Sequence, residues 1–182
     1  MERNIINRQR NEVKLKLAIE LLCIGPHSVN ERKEYGHYEI DTVLSGRPSS
    51  ACLVTIIERK TRYLYACRLN SRCSKDVCCA IIELMSDLKP KTITVDRGKE
   101  FALYEMIEQS LNCSVYFSDP GCPGQRGSIE NVNGLLRQYF PKGTDFKTIS
   151  EKVLQEAVER INTRPRAVLG YLTSEEVIQG YR

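Results

Sequence analysis

Residues 119–141 read DPGCPGQRGSIENVNGLLRQYFP, a permissive loop running into a helix whose two faces differ in chemistry. Wound at about 100° per residue, Ile129, Val132, Leu135, Leu136, Tyr139 and Phe140 fall on one arc, and Glu130, Asn133, Gly134, Arg137 and Gln138 on the other. A helix seated in a core by the first arc holds up a carboxylate, a small residue and an arginine together on the second. Gly121 and Gly124 leave the preceding loop free to be ordered by whatever binds there.

Upstream of this stretch the texture is that of strands. Segments 37–44, 52–58 and 63–69 are rich in Val, Ile, Tyr and Thr and are joined by a Ser/Gly/Pro link and the short turn 59–62, which predicts an antiparallel meander. Ser74 is placed to cap a helix with Val77, Ile81, Leu84, Met85 and Leu88 on one face, ended by Pro90. Segment 92–95 reads as a buried strand with Asp96 at its tip. A helix with Leu103, Met106 and Ile107 inward follows, then a strand over 114–118.

Downstream, Thr148-x-x-Glu151 opens a helix to about Thr163, before Pro165, and Thr173-x-x-Glu176 opens a last short one that stops at Gly180. Helix crossovers between the later strands imply a mixed sheet covered on both faces. The expected fold is α/β and ribonuclease-H-like: a mixed five-stranded sheet, helices on both sides and added C-terminal helices, over residues 31–182. In residues 1–24, Val13, Leu15, Leu17, Ile19 and Leu21 alternate as in a strand, while the Leu, Lys, Glu and Ala content favours a helix ending at Gly25-Pro26. A helix and a polar linker are expected over 1–30.

With 182 residues, 41% of them hydrophobic and 27% charged, the chain has room for one ordinary core. No run of 18 apolar residues spans a membrane. The apolar segment 16–25 is broken by Glu20 and lacks a cleavage site, so a cytoplasmic location is expected. Eight cysteines without a C-x-x-C, and only His27 and His37 besides, read as buried free thiols in preference to disulfides or a zinc site. Residues 59–75 hold Arg59, Lys60, Arg62, Arg68, Arg72 and Lys75 and no acid. Such a run is either a solvated face or a nucleic-acid footprint.

Three carboxylates stand out by position: Asp41 in the first strand, Asp96 after the fourth, and Glu130 on the polar face of the last core helix. Strand ends and neighbouring helix surfaces form the crevice of an open sheet, where the three can converge. Two unit charges about 4 Å apart repel by roughly 4 kcal/mol at an effective dielectric of 20, so converging carboxylates either take up protons or hold cations. Oxygen ligands alone suit Mg²⁺ or Mn²⁺. Two such ions serve in-line displacement at phosphorus. Singly, each residue also has an ordinary reading: Asp41 an exposed strand position, Asp96 a turn former before Gly98, Glu130 a solvated helix position.

The spacing of Asp41, 54 residues, Asp96, 33 residues and Glu130 resembles the triad of DDE transposases and retroviral integrases. More specifically, the words GHYEIDTV (36–43), ERKTRY (58–63), TVDRGKEF (94–101), VYFSDP (115–120), QRGSIENVNGLLRQYFPKGTDF (125–146) and NTRPR (162–166) resemble the insertion sequence 30 family of bacterial transposases, over roughly residues 30–180. The resemblance implies Asp41, Asp96 and Glu130 as catalytic metal ligands for Mg²⁺ or Mn²⁺, two ions in all. It implies Arg126, Asn133, Arg137, Lys142, Arg164 and Arg166 as DNA contacts, with arginine suited to phosphate. Phe101 is then core, and Glu100 a supporting carboxylate and not a fourth ligand.

Two departures from the family pattern bear on activity. Residues 1–30 are too short for the helix-turn-helix region that family members carry ahead of the core. The words around the glutamate also differ: Gly124 stands where many relatives have an aromatic residue, and Gly127-Ser128-Ile129-Glu130-Asn131 where they have G-T-N-E-N. The expected activity is metal-dependent nicking of DNA at element ends followed by strand transfer, without a covalent protein intermediate. DNA and a second copy, or a full-length transposase, are the expected partners. A truncated regulatory module that binds DNA without cutting it, and a nuclease of RNA–DNA hybrids, are the rivals.

Overall fold

The structure, a computed structural model, describes residues 31–119 and 123–181. The helix and linker expected over 1–30 lie outside them, as do residues 120–122 of the loop ahead of the last core helix. Strands β1 (His37–Leu44), β2 (Cys52–Glu58) and β3 (Leu64–Leu69) form the antiparallel meander. Helix α1 (Ser74–Met85), β4 (Thr92–Val95), α2 (Tyr104–Leu111) and β5 (Ser114–Phe117) follow, and both crossovers return parallel. The sheet order is β3-β2-β1-β4-β5, the mixed five-stranded sheet that the element order predicts. Helices α3 (Gly127–Tyr139), α4 (Glu151–Asn162) and α5 (Ser174–Ile178) complete it.

The alternation of β1 sorts its side chains between two cores. Tyr38 and Ile40 join Val54, Ile56, Ile93 and Val95 under α1 and α2, while Val43 joins Leu53, Ile57, Leu64 and Ala66 under α3 and α4. By the two-residue period, Glu39 and Asp41 face the α3 side with Val43. That side is therefore mainly apolar over β2, β3 and Val43, and polar at Glu39 and Asp41 of β1 and over β4. Ile129, Val132 and Leu136 anchor α3 on the apolar part, each contributing about 1.5–3 kcal/mol. Leu135 packs at the margin, and Tyr139 is exposed, as the outer edge of the expected arc.

Several local expectations are corrected. Met106, expected inward, is 50% exposed because α2 turns only Ile107 fully into the core. Helix α1 is capped by Cys73, whose sulfur accepts from Asp76 N, and Ser74 is already helical. Ser150, not Thr148, caps α4, because Phe146–Thr148 form a 3-10 turn that buries Phe146 first. The Thr173/Glu176 capping box is present at α5.

The six cysteines among the described residues are free, but only Cys52 and Cys78 are buried, while Cys73 and Cys79 are exposed. Burial pushes Cys52 and Cys113 up to about 11 and Cys67 to about 12, so these thiols stay protonated and inert at neutral pH. Among the described residues no helix is long and apolar enough to cross a membrane.

The edge strand β3 is closed by a side chain. Buried Asn162 accepts from Leu64 N through Oδ1 and donates to Leu64 O through Nδ2, both at 2.9 Å, so its amide serves where a further strand would pair. This accounts for the first letter of the N-T-R-P-R word. Asn162→Ala strips both partners from buried backbone groups, and an expected loss of about 2 kcal/mol would appear as a lower urea midpoint. A midpoint unchanged from wild type would remove the amide bridge from the stability of the edge.

Candidate active site

The register between β1 and β4 pairs Glu39 with Thr94. Two residues further along stand Asp41, still on β1, and Asp96, the first residue past the end of β4, so the parallel pair delivers the two aspartates to the same end of the ladder. One guanidinium closes on both: Arg126 Nη2 lies 2.9 Å from Asp41 Oδ1, and Nη1 lies 3.1 Å from Asp96 Oδ2. Arg126 also donates to Ile40 O at 3.4 Å and is buried, at the junction between a 3-10 turn (Pro123–Arg126) and α3. Burial pushes the Asp41 carboxyl up from its ordinary value, against the pull of Arg126 and the Thr42 amide.

The remaining oxygens are held separately. Asp41 Oδ1 also accepts from Thr42 N at 2.8 Å, and Oδ2 accepts from Asn133 Nδ2 at 2.9 Å. Thr55 on β2 donates to Asn133 Oδ1 at 3.0 Å, which fixes the amide so that its nitrogen faces the aspartate. Asp96 Oδ1 accepts from Gly98 N at 2.8 Å. A Cβ at Gly98 would run into the Glu100 carboxylate and Asp96 Oδ1, so a larger residue there would push the acidic side chains of the site aside. Glu100 is buried beside the pair, accepting from Thr42 Oγ1 at 2.9 Å with Arg72 3.6 Å away, and Phe101 is core.

Glu130 sits in the first turn of α3 and is exposed. Among the described residues no three His, Cys, Asp or Glu side chains are arranged to hold a metal ion. The structure thus brings Asp41 and Asp96 together on one cation and leaves Glu130 outside that contact. The donor chemistry nevertheless fits a divalent ion: two carboxylates, oriented by neighbours, already close on a single positive charge. Asp41 and Asp96 are the carboxylates that could hold such an ion.

The other residues expected at DNA divide by engagement. Asn133 serves Asp41. Arg137 donates to Leu44 O at 2.9 Å and to Phe140 O at 3.5 Å, and stacks over Phe146, tying the end of α3 to the end of β1. Arg166 donates to Ile161 O at 3.3 Å and is half-buried, whereas Lys142 and Arg164 are exposed. A Cβ at Gly134 would meet nothing within 4 Å, so no part of the described chain requires glycine there.

The basic run 59–75 is no single face. Arg59 is 2% exposed and pairs with the fully buried Glu39 at 3.2 Å. It also donates to Gln125 O at 2.7 Å and Thr94 Oγ1 at 3.2 Å. Glu39 in turn accepts from Ile129 N at 2.8 Å. The buried pair thereby grips both sides of Arg126. Arg62, also buried, donates to Ser128 Oγ. Glu58 accepts from Gly36 N, Lys60 N, Thr61 N and Thr61 Oγ1, which closes the turn that aims these arginines inward. Glu39 and Thr55 are thus site-forming residues absent from the sequence expectations, while Arg59 and Arg62, expected on a solvated or nucleic-acid-facing run, are buried behind the site; for Glu39, its place two residues before Asp41 on one strand face was the available signal.

Comparison with known proteins agrees with this architecture. The catalytic core domain of BIV integrase superposes with a TM-score of 0.63 at 15% identity, covering 80% of this chain and 95% of that one, which shows a shared ribonuclease-H-like fold. Among curated proteins, the probable transposase for insertion-like sequence element IS1161 of Streptococcus salivarius is 35% identical over 155 residues, 85% of this chain and 44% of that protein. Transposase InsI for insertion sequence element IS30A of Escherichia coli (strain K12) is 38% identical over 156 residues, 84% of this chain and 40% of that protein. The chain therefore spans less than half the length of these relatives. A family model described as the integrase core domain matches residues 31–123, and the chain belongs to the integrase core domain family.

Proposed function

We propose that this chain is the catalytic core of a DNA transposase, a polynucleotidyl transferase that nicks DNA at an element end and joins the exposed 3′-hydroxyl to target DNA. The observation that carries the reading is the pair Asp41 and Asp96, brought together at the end of the β1–β4 ladder and closed on one cation. Glu130, carried one turn beyond Arg126, is assigned as the third ligand. The likeness to insertion-sequence transposases over more than four-fifths of the chain supports the same reading.

Mg²⁺ or Mn²⁺, two ions in all, would be held by Asp41, Asp96 and Glu130, and when bound supply an activated oxygen nucleophile and charge stabilisation at the leaving oxygen. The chain's own work is positional. Thr55 and Asn133 hold Asp41 in one orientation, the Gly98 amide holds Asp96, and Thr42 links Glu100 to the same wall. Lys142 and Arg164 are exposed cations suited to the phosphate backbone, with Arg126, Asn133, Arg137 and Arg166 nearer the carboxylates or the helix ends. The partners are DNA, as element ends and target, and a second copy or a full-length transposase, in the bacterial cytoplasm where that DNA lies.

The test is nicking of a supercoiled plasmid that carries the element ends, with Mg²⁺, with Mn²⁺ and with chelator, beside an RNA–DNA hybrid. Metal-dependent nicking of the plasmid is expected. Preferential cleavage of the hybrid would assign a ribonuclease instead, and salt-sensitive DNA binding without nicking would assign a regulatory module.

A further inference from the structure

We propose that Arg126 is a resident cation of the two-aspartate site: its guanidinium and a divalent metal ion occupy the same place in turn, so Arg126 sets the metal concentration at which the site fills. The proposal rests on the assignment of Asp41 and Asp96 as metal ligands and adds a competitor for them within the chain.

The atoms make the two states exclusive. Arg126 Nη2 takes Asp41 Oδ1 and Nη1 takes Asp96 Oδ2, which are the oxygens that converge. Asp41 Oδ2 is occupied by Asn133, and Asp96 Oδ1 by the Gly98 amide. The oxygens on Arg126 are the pair that meets on one cation, and a metal ion seated in that same place would use them. A guanidinium and a divalent ion between the same two carboxylates would also repel each other in a half-buried site, where screening is weak.

The aspartates do not need Arg126 for their orientation. Thr42 N and Asn133 hold one, whose backbone is paired with Thr55 on β2, and Gly98 N holds the other. What Arg126 supplies is positive charge between two carboxylates that would otherwise repel each other. Its own backbone is held on both sides, by Arg59 on Gln125 O and by Glu39 on Ile129 N. The exchange is thus a side-chain movement that, among the described residues, gives up the two carboxylates and the Ile40 carbonyl contact at 3.4 Å. Once released, the guanidinium stands beside the site with a positive charge, matched to the phosphate of an incoming strand.

The experiment is Mn²⁺ binding by titration calorimetry on the purified chain without DNA, comparing wild type, Arg126→Gln and Arg126→Lys, each also with Asp41→Asn. Arg126→Gln is expected to bind Mn²⁺ about tenfold more tightly than wild type, with Arg126→Lys between them, and the added Asp41→Asn to abolish the gain. The lysine variant keeps a positive charge at the site, so it reports even if the glutamine variant does not fold. Equal or weaker Mn²⁺ binding by the Arg126 variants, with binding by wild type measurable, would overturn the competition and leave the metal site standing. No Mn²⁺ binding by any of the three would overturn the metal-ligand assignment and the competition with it.

Discussion

Glu130→Gln is expected to lower metal-dependent nicking by at least about 10³-fold, since ligands of a catalytic ion carry several kcal/mol of transition-state stabilisation and each 1.4 kcal/mol is a factor of ten. The same variant is expected to keep its fold. Glu130 is exposed in the first turn of α3, so its loss removes only a favourable carboxylate near a helix N-terminus, about 0.3–1 kcal/mol. The two readouts, plasmid nicking and thermal denaturation on one preparation, therefore move apart. Nicking that stays within tenfold of wild type would take Glu130 out of the site. Loss of nicking together with a large fall in melting temperature would instead mark it as a structural residue.

The second large effect lies in the buried pair behind the site. Glu39→Ala leaves the Arg59 guanidinium, 2% exposed, without its carboxylate, and takes the acceptor from Ile129 N. Removing one partner of a buried ion pair destabilises by about 3–5 kcal/mol, a large part of the roughly 5–15 kcal/mol that holds an ordinary domain. Glu39→Gln keeps an acceptor for Ile129 and is expected to lose less. A double variant, Glu39→Gln with Arg59→Met, exchanges the ions for neutral groups of similar size and is expected to recover much of the loss, because the desolvation of both charges goes with them. Urea unfolding of the three variants measures this. A loss under about 1 kcal/mol for Glu39→Ala would show that water or another base reaches Arg59.

These variants probe the part of the molecule least visible in the chain order. Strand and helix positions follow from periodicity and caps, which act over a few residues, and the errors are local. Met106 faces outward because α2 is short and turns Ile107 to the core, and Ser150 displaces Thr148 as a cap because burying Phe146 shapes the preceding turn. Burial of Arg59 and Arg62 was hidden for a different reason. A run of basic residues looks alike whether it faces water or a carboxylate on another strand, and Glu39 lies 20 residues before Arg59. Only the turn closed by Glu58 aims those side chains inward.

The stretch 119–141 divides along the same line. Its apolar arc was legible, and Ile129, Val132 and Leu136 are buried where a 3.6-residue period puts them. Asp41 and Asp96 were also legible as neighbours, since an open sheet gathers such positions in the crevice at its strand ends. Which group those aspartates hold was not. Arg126 and Asn133 looked like DNA contacts from their letters, yet long-range packing sets Arg126 across both carboxylates and turns Asn133 toward Asp41 under the Thr55 hydroxyl. Short-range rules give the elements and the faces they bury. The partners of a long charged side chain are chosen by the field of groups from other strands, and those groups meet only when the sheet is assembled.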